Sequence, residues 1–277
     1  MVQLVNGQFA FESNRTIIAY YIRGQGPPCF VAPYPWGLNS EPIRSFFRPL
    51  ERHLTLVYHD PPGSGRSGPP MQESDLGFER VVSDMFSIQT RLDVREATFI
   101  GHSGGAACAL AYALRYPERV SSLVLIGAGA VIPDVLRSKE VGESMAGALS
   151  QRNEESFRRF LAAFLGPEIR SSKGRLAMGR AMKSSLHFNI DRAAHNFAEM
   201  RDWDVRGDLG KVVAKTLILA GKHDGPTPPK LARELHKAIK GSRLVIFEKS
   251  GHFPFLDEPT KFSDALLGFL GVRRQTR

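Results

Sequence analysis

The stretch Phe99-Ile100-Gly101-His102-Ser103-Gly104-Gly105 constrains the chain more than any other. Apolar Ala97–Ile100 reads as a short buried strand and Ala106–Tyr112 as the start of an Ala-rich helix, with Gly-x-Ser-x-Gly between them. A turn that runs straight from strand into helix forces its tip residue into a strained backbone conformation. Glycines flank the tip because a Cβ there would strike the neighbouring strand or helix. Such a turn pushes Ser103 Oγ out over the sheet edge. It also aims the backbone N–H of Gly104, at the positive end of the new helix, at whatever Ser103 attacks.

The surrounding pattern suits that turn. Val2–Val5, Asn6-Gly7 and Gln8–Phe11 carry a hairpin signature with a two-residue turn, and Thr16–Ile22 reads as a further strand. Apolar runs predict strands at Pro28–Ala32, Leu54–Tyr58, Val120–Ile126, Thr216–Ala220 and Leu244–Phe247. Helical spacing joins Ile43, Phe46, Phe47 and Leu50, and again Phe78, Val81, Val82, Met85, Ile88 and Leu92. Thr227 is placed to cap a helix opened by Pro228 and Pro229, and a last helix opens at Pro259. The fold class is α/β: a mostly parallel central sheet with helices on both faces and an antiparallel edge at its start. From Val131 to Arg206 the patterns are helical throughout, strongest at Phe157, Phe160, Leu161, Phe164 and Leu165. Residues 1–130 and 207–277 are therefore expected to form the core domain, and 131–206 a helical cap (lid) inserted over the serine turn, excluding water and shaping a pocket.

Bulk properties narrow the function classes. At 277 residues and 42% hydrophobic, the chain can bury one large core plus an insertion. No stretch has the length of a membrane span, and the N-terminus lacks a charged region followed by an apolar one, so a cytoplasmic, membrane-free protein is expected. Cys29 and Cys108 fall in apolar patterns and read as small buried hydrophobes. No Cys/His spacing suggests a metal, and no cofactor is expected. The formal charge of +9 does not imply nucleic acid, because basic residues are interleaved with acids and only Arg273-Arg274-Gln275-Thr276-Arg277 forms a basic run. The expected partner is a small-molecule substrate, bound by a monomer or homodimer.

A serine hydroxyl needs a base within hydrogen-bond reach, itself oriented by an acid. Gly221-Lys222-His223-Asp224 directly follows one core strand, and Ser250-Gly251-His252-Phe253 follows the last. Both loops emerge at the edge where Ser103 sits, which makes Asp224 and His252 the candidate acid and base. His102 is expected to point away from Ser103 Oγ and to pack the turn. His53, His59, His187, His195, His223 and His236 suggest no such chemistry.

Gly101-His102-Ser103-Gly104-Gly105, Asp60-Pro61-Pro62-Gly63-Ser64-Gly65-Arg66-Ser67, Gly221-x-x-Asp224 and Gly251-His252 together resemble the α/β-hydrolase superfamily over almost the whole chain. The resemblance implies a Ser103–His252–Asp224 triad. Where that family usually has His-Gly-x, this sequence has Ala32-Pro33-Tyr34, so by position Tyr34 donates the second oxyanion-hole N–H beside that of Gly104. A serine at the elbow argues against the dehalogenase and epoxide hydrolase branches, which use a carboxylate there. Hydrolysis of carboxylic esters demands least beyond triad and oxyanion hole. A proline iminopeptidase-like aminopeptidase is the main alternative, needing a cap carboxylate (Glu199, Asp202 or Asp204) to hold the substrate amine. Lactone hydrolysis, C–C bond hydrolysis, perhydrolysis and a non-catalytic ligand receptor stay open. Tyr34, Trp36 and Phe253 flank these residues, while Met200 and Trp203 sit late in the insertion, so Trp36, Phe253, Met200 and Trp203 are candidate pocket residues.

Overall fold

A computed structural model describes residues 4–184 and 188–273. Part of the expected first strand (residues 1–3), His187 and most of the basic tail (274–277) lie outside them. Strands β1 (Gly7–Ser13) and β2 (Thr16–Gly24) open the chain, followed by β3 (Pro28–Val31), α1 (Glu41–Phe47), β4 (Thr55–His59), α2 (Phe78–Arg91), β5 (Ala97–His102), α3 (Gly104–Arg115) and β6 (Val120–Ile126). Five helices come next: α4 (Asp134–Arg137), α5 (Lys139–Ser150), α6 (Glu154–Leu165), α7 (Ser172–Ser184) and α8 (Ile190–Glu199). The chain then returns through β7 (Lys215–Gly221), α9 (Pro229–Ala238), β8 (Arg243–Phe247), α10 (Pro254–Asp257) and α11 (Pro259–Phe269).

These strands form one eight-stranded sheet in the order β1-β2-β4-β3-β5-β6-β7-β8. Only the β1–β2 and β2–β4 pairings are antiparallel. Because successive residues of β5 point to opposite faces, Phe99 stacks on Tyr112 of α3 in the cluster that includes Val81 of α2, while Ile100 belongs to the opposite cluster with Phe47 and Phe262 of α1 and α11. Burying each such side chain stabilises the fold by about 1.5–3 kcal/mol, which is why the strands read as continuous apolar runs. Cys29 and Cys108 are free and buried. Among the described residues no helix is long and apolar enough to cross a membrane.

Two local expectations fail. The hairpin turn is Asn14-Arg15, not Asn6-Gly7: Ser13 pairs with Thr16, and both turn residues have positive φ (48° and 63°). Leu4–Asn6 lie outside any strand. Nor does Thr227 cap α9; that position is Pro228, and the Thr227 side chain is engaged elsewhere.

Candidate active site

Ser103 sits between β5 and α3 with φ 54° and ψ −125°, a conformation that costs a non-glycine residue on the order of 1–3 kcal/mol. Backbone bonds hold it there, Ser103 N–H to Ile126 O (2.9 Å) and Ala106 N–H to Ser103 O (2.8 Å). The flanking glycines are sterically required. A Cβ on Gly101 would lie 2.3 Å from Gly105 O, and one on Gly105 would lie 2.7 Å from Ala32 O. The same close approach presses the Ala32–Trp36 loop onto the elbow, so that a Cβ on Gly104 would meet the Trp36 indole at 2.5 Å.

Asp224 and His252 reach this edge from the loops after β7 and β8. His252 Nδ1 lies 2.9 Å from Asp224 Oδ2 and 3.0 Å from Oδ1, with both side chains buried. An ionised carboxylate only accepts hydrogen bonds, so Nδ1 carries the proton and Nε2 is left as the basic nitrogen. Thr227 completes the acid's environment, its N–H donating to Asp224 Oδ1 (2.7 Å) and its hydroxyl to Oδ2 (2.7 Å). Its Oγ1 is also 3.2 Å from His252 Nδ1. Sequence reasoning gave this threonine to a helix cap because a hydroxyl residue before Pro-Pro carries the same signal.

His102 does more than pack the turn. Its Nε2–H donates to the His252 carbonyl oxygen (2.8 Å), and its Nδ1 accepts the Tyr34 hydroxyl (2.8 Å). Burial and the neighbouring His252 ring hold its pKa well below the usual histidine value, so the neutral ring ties the Tyr34 loop to the His252 loop. Burial likewise pushes the Tyr34 phenol upward, which keeps it a donor.

Ser103, Gly104, Tyr34, Trp36, Phe253, Met200, Trp203 and His252 all line one cavity of about 110 Å³, with Asp224 behind His252. The insertion contributes further walls that no sequence signal singled out as pocket: Phe160 and Phe164 of α6, Met178 and Met182 of α7, and Phe197 of α8, which stacks on Trp36 at 4.5 Å. No Asp, Glu, Lys or Arg among the described residues lines this cavity. Glu199 instead accepts the Phe78 N–H (3.0 Å), and Asp204 pairs with Arg206 at the surface.

Helix α8 is moored to the core by polar groups. Arg192, fully buried, donates to the carbonyl oxygens of Pro62 (3.1 and 3.3 Å), Leu76 (2.8 Å) and Asp75. Asn196 Nδ2 reaches Pro35 O (2.9 Å) and Leu76 O (2.7 Å). The Asp60–Ser67 loop presents Pro62 because Asp60 braces it, accepting from Tyr21, Ser40 and the Arg66 N–H. Among the described residues no group of three or more His, Cys, Asp or Glu could hold a metal.

A family model described as the alpha/beta hydrolase fold matches residues 36–259. The chain belongs to the α/β-hydrolase fold family. It is a hydrolase, with relatives of several activities. One is a pimeloyl-[acyl-carrier protein] methyl ester esterase of Vibrio vulnificus, 28% identical over 92% of this chain and 99% of that protein. Another is a proline iminopeptidase of Saccharolobus solfataricus, 26% identical over 78% of this chain and 76% of that protein. Among solved structures, an esterase from Exiguobacterium antarcticum superposes with a TM-score of 0.79 at 26% identity, covering 92% of this chain and 96% of that one.

Proposed function

We propose that this α/β-hydrolase cleaves carboxylic esters with small to medium apolar groups, through an acyl-enzyme on Ser103. The observation that carries the reading is a His252–Asp224 pair, bonded at 2.9 Å, whose imidazole shares one apolar cavity with a serine on a strained elbow. His252 Nε2 takes the Ser103 proton as Oγ attacks the ester carbonyl, and Asp224 stabilises the resulting imidazolium. The N–H groups of Gly104 and Tyr34 hold the oxyanion, each contributing about 3 kcal/mol to the barrier reduction. The alcohol leaves with the proton from Nε2. Water, deprotonated by His252, then releases the acid and restores Ser103. Residues 131–206 act as the cap, and their Phe and Met side chains select the apolar group.

The aminopeptidase alternative loses ground on a specific observation. An α-ammonium group entering a cavity with no carboxylate would be desolvated without a partner, at a cost of several kcal/mol. The test is a panel of p-nitrophenyl acyl esters of graded chain length beside proline p-nitroanilide, with fluorophosphonate labelling. Ester turnover and labelling that both vanish in Ser103→Ala, with the anilide untouched, are expected. Anilide cleavage, or ester turnover that survives Ser103→Ala, would overturn the reading.

A further inference from the structure

The loops that carry Asp224 and His252 are joined by a residue that belongs to neither. Glu168 closes the single turn Gly166–Glu168 that follows α6, inside the segment that forms the cap. Its carbonyl oxygen accepts the His252 N–H (3.1 Å), and its Oε2 accepts the N–H of Gly225, the residue after Asp224 (2.9 Å). The fit leaves no room on the histidine loop and is close on the acid loop, where the Glu168 carboxylate is the neighbour. A Cβ on Gly251 would lie 2.2 Å from the Glu168 carbonyl oxygen, and one on Gly225 would lie 2.7 Å from Oε1. Three residues further on, Ser171 donates its N–H to Asp257 Oδ1 (2.7 Å) and its hydroxyl to Leu256 O (3.0 Å). Asp257 Oδ2 in turn accepts the Gly251 N–H (3.1 Å), so the same stretch grips the histidine loop twice.

We propose that Glu168 is a positioning residue for the acid–base pair: the cap spans the Asp224 and His252 loops and sets their separation. This rests on the triad reading above. Glu168 does not line the cavity, so its contribution falls on the alignment of the pair and not on the binding of the ester. The cap cannot swing away as one body without releasing the His252 N–H.

The experiment measures kcat and KM separately for a p-nitrophenyl ester, in wild type, Glu168→Ala, Glu168→Gln, Gly225→Ala and the double variant Glu168→Ala/Gly225→Ala, with thermal midpoints as a fold control. Misplacement of a catalytic group by about 1 Å can cost on the order of 100-fold, so a fall in kcat of roughly 10- to 100-fold is expected for Glu168→Ala, with KM within about twofold. Glu168→Gln, whose amide oxygen still accepts the Gly225 N–H, should recover most of that loss. Gly225→Ala should lower kcat in the wild type and do less harm once the Glu168 carboxylate is gone. Wild-type kcat in Glu168→Ala, a loss in Glu168→Gln equal to that in Glu168→Ala, or a rise in KM alone would each overturn the proposal. A wild-type enzyme that neither turns over esters nor takes a fluorophosphonate label would instead remove the triad reading beneath it.

Discussion

The sheet core and the helical insertion that we propose as its cap hold their parts of the site by different means. The core uses backbone against backbone. A Cβ on Gly101 would lie 2.3 Å from Gly105 O, and one on Gly221 would lie 1.9 Å from Gly251 O, so the elbow and the two loops cross with no room for a side chain. Apart from its backbone contacts at Glu168 and Asn189, the insertion works through side chains: Arg192 and Asn196 reach core carbonyls, and Phe160, Phe164 and Phe197 fill the space above Ser103. Two of its helical glycines, Gly147 and Gly179, face open space, while Gly174 packs against Ser171, Ile169 and Leu256. On the proposed function, chemistry is fixed by contacts that admit one residue type, and selectivity by contacts that admit many. Substitutions in the two regions should therefore differ in size and in kind.

The largest effect is expected at the core contact. Gly101→Ala drives a methyl group into the Gly105 carbonyl, which only a backbone shift relieves, at a cost of about 3 kcal/mol. The elbow is what shifts, so ester turnover should fall by at least about 100-fold even where the variant folds. Chemical denaturation and steady-state kinetics on the purified variant check both. A stable and active Gly101→Ala would mean that the elbow tolerates slack and that the contrast with the cap is false.

Next comes the mooring of the cap. Arg192→Ala takes the donor from the Asp75 carbonyl oxygen and leaves those of Pro62 and Leu76 only the amides of Asn189 (3.5 Å) and Asn196 (2.7 Å), so roughly 2–3 kcal/mol of stability should be lost. Because α8 carries Phe197, the acyl-length preference should broaden while Ser103 still labels with fluorophosphonate. Arg192→Lys should rescue little, since an ammonium cannot fork to three carbonyls. Loss of labelling in Arg192→Ala would show that the mooring serves the elbow as well as the pocket.

The seam between the two regions also titrates. His59, at the end of β4, is buried with Nε2 unbonded, and burial together with Arg192 and Arg80 lowers its pKa to about 3. The unfolded chain takes up this proton near the ordinary pKa of about 6.5, and the folded one does not. The stability it contributes is therefore complete above pH 6.5 and is lost as pH falls towards 3, by at most about 1.4 kcal/mol per pH unit. Thermal midpoints of wild type and His59→Asn between pH 7 and 4.5 should diverge in slope, the variant being flatter. Parallel curves would show that His59 is charged or hydrated in the fold.

The same contrast explains what the sequence could disclose. That Ser103, Asp224 and His252 meet at one end of the sheet was legible because each follows a core strand and the elbow's glycines are obligatory, so the pattern records the geometry directly. The insertion was legible as helices that shape a pocket, with Met200 and Trp203 as lining candidates, but Phe160 and Phe164 were not, because at helical spacing they read equally as core. Arg192 was illegible, since an arginine on an amphipathic helix reads as solvated until its partners are seen. Glu168 was too, because half of its role lies in a carbonyl oxygen that any residue carries. The hairpin was misread because Asn6-Gly7 is the stronger turn signal, whereas the actual turn places an arginine, Arg15, at φ 63°. Thr227 and His102 had signals that pointed to commoner roles, a helix cap and turn packing.

The smallest effect is predicted for the glycines that the cap does not need. At Gly147 in α5 and Gly179 in α7 a Cβ would have nothing within 4 Å, and neither residue has a positive φ, so neither close approach nor backbone conformation demands glycine there. Alanine at either site should stabilise the protein by roughly 0.5–1 kcal/mol, because glycine gives up more chain entropy in a helix. In a chain of 277 residues that raises the thermal midpoint by about 1–3 °C, with kcat and acyl preference unchanged. A gain in stability accompanied by a fall in kcat would instead show that α5 or α7 has to bend during turnover. The cap would then owe part of its function to flexible backbone, and the division between a core set by glycines and a cap set by side chains would have to be redrawn at those helices.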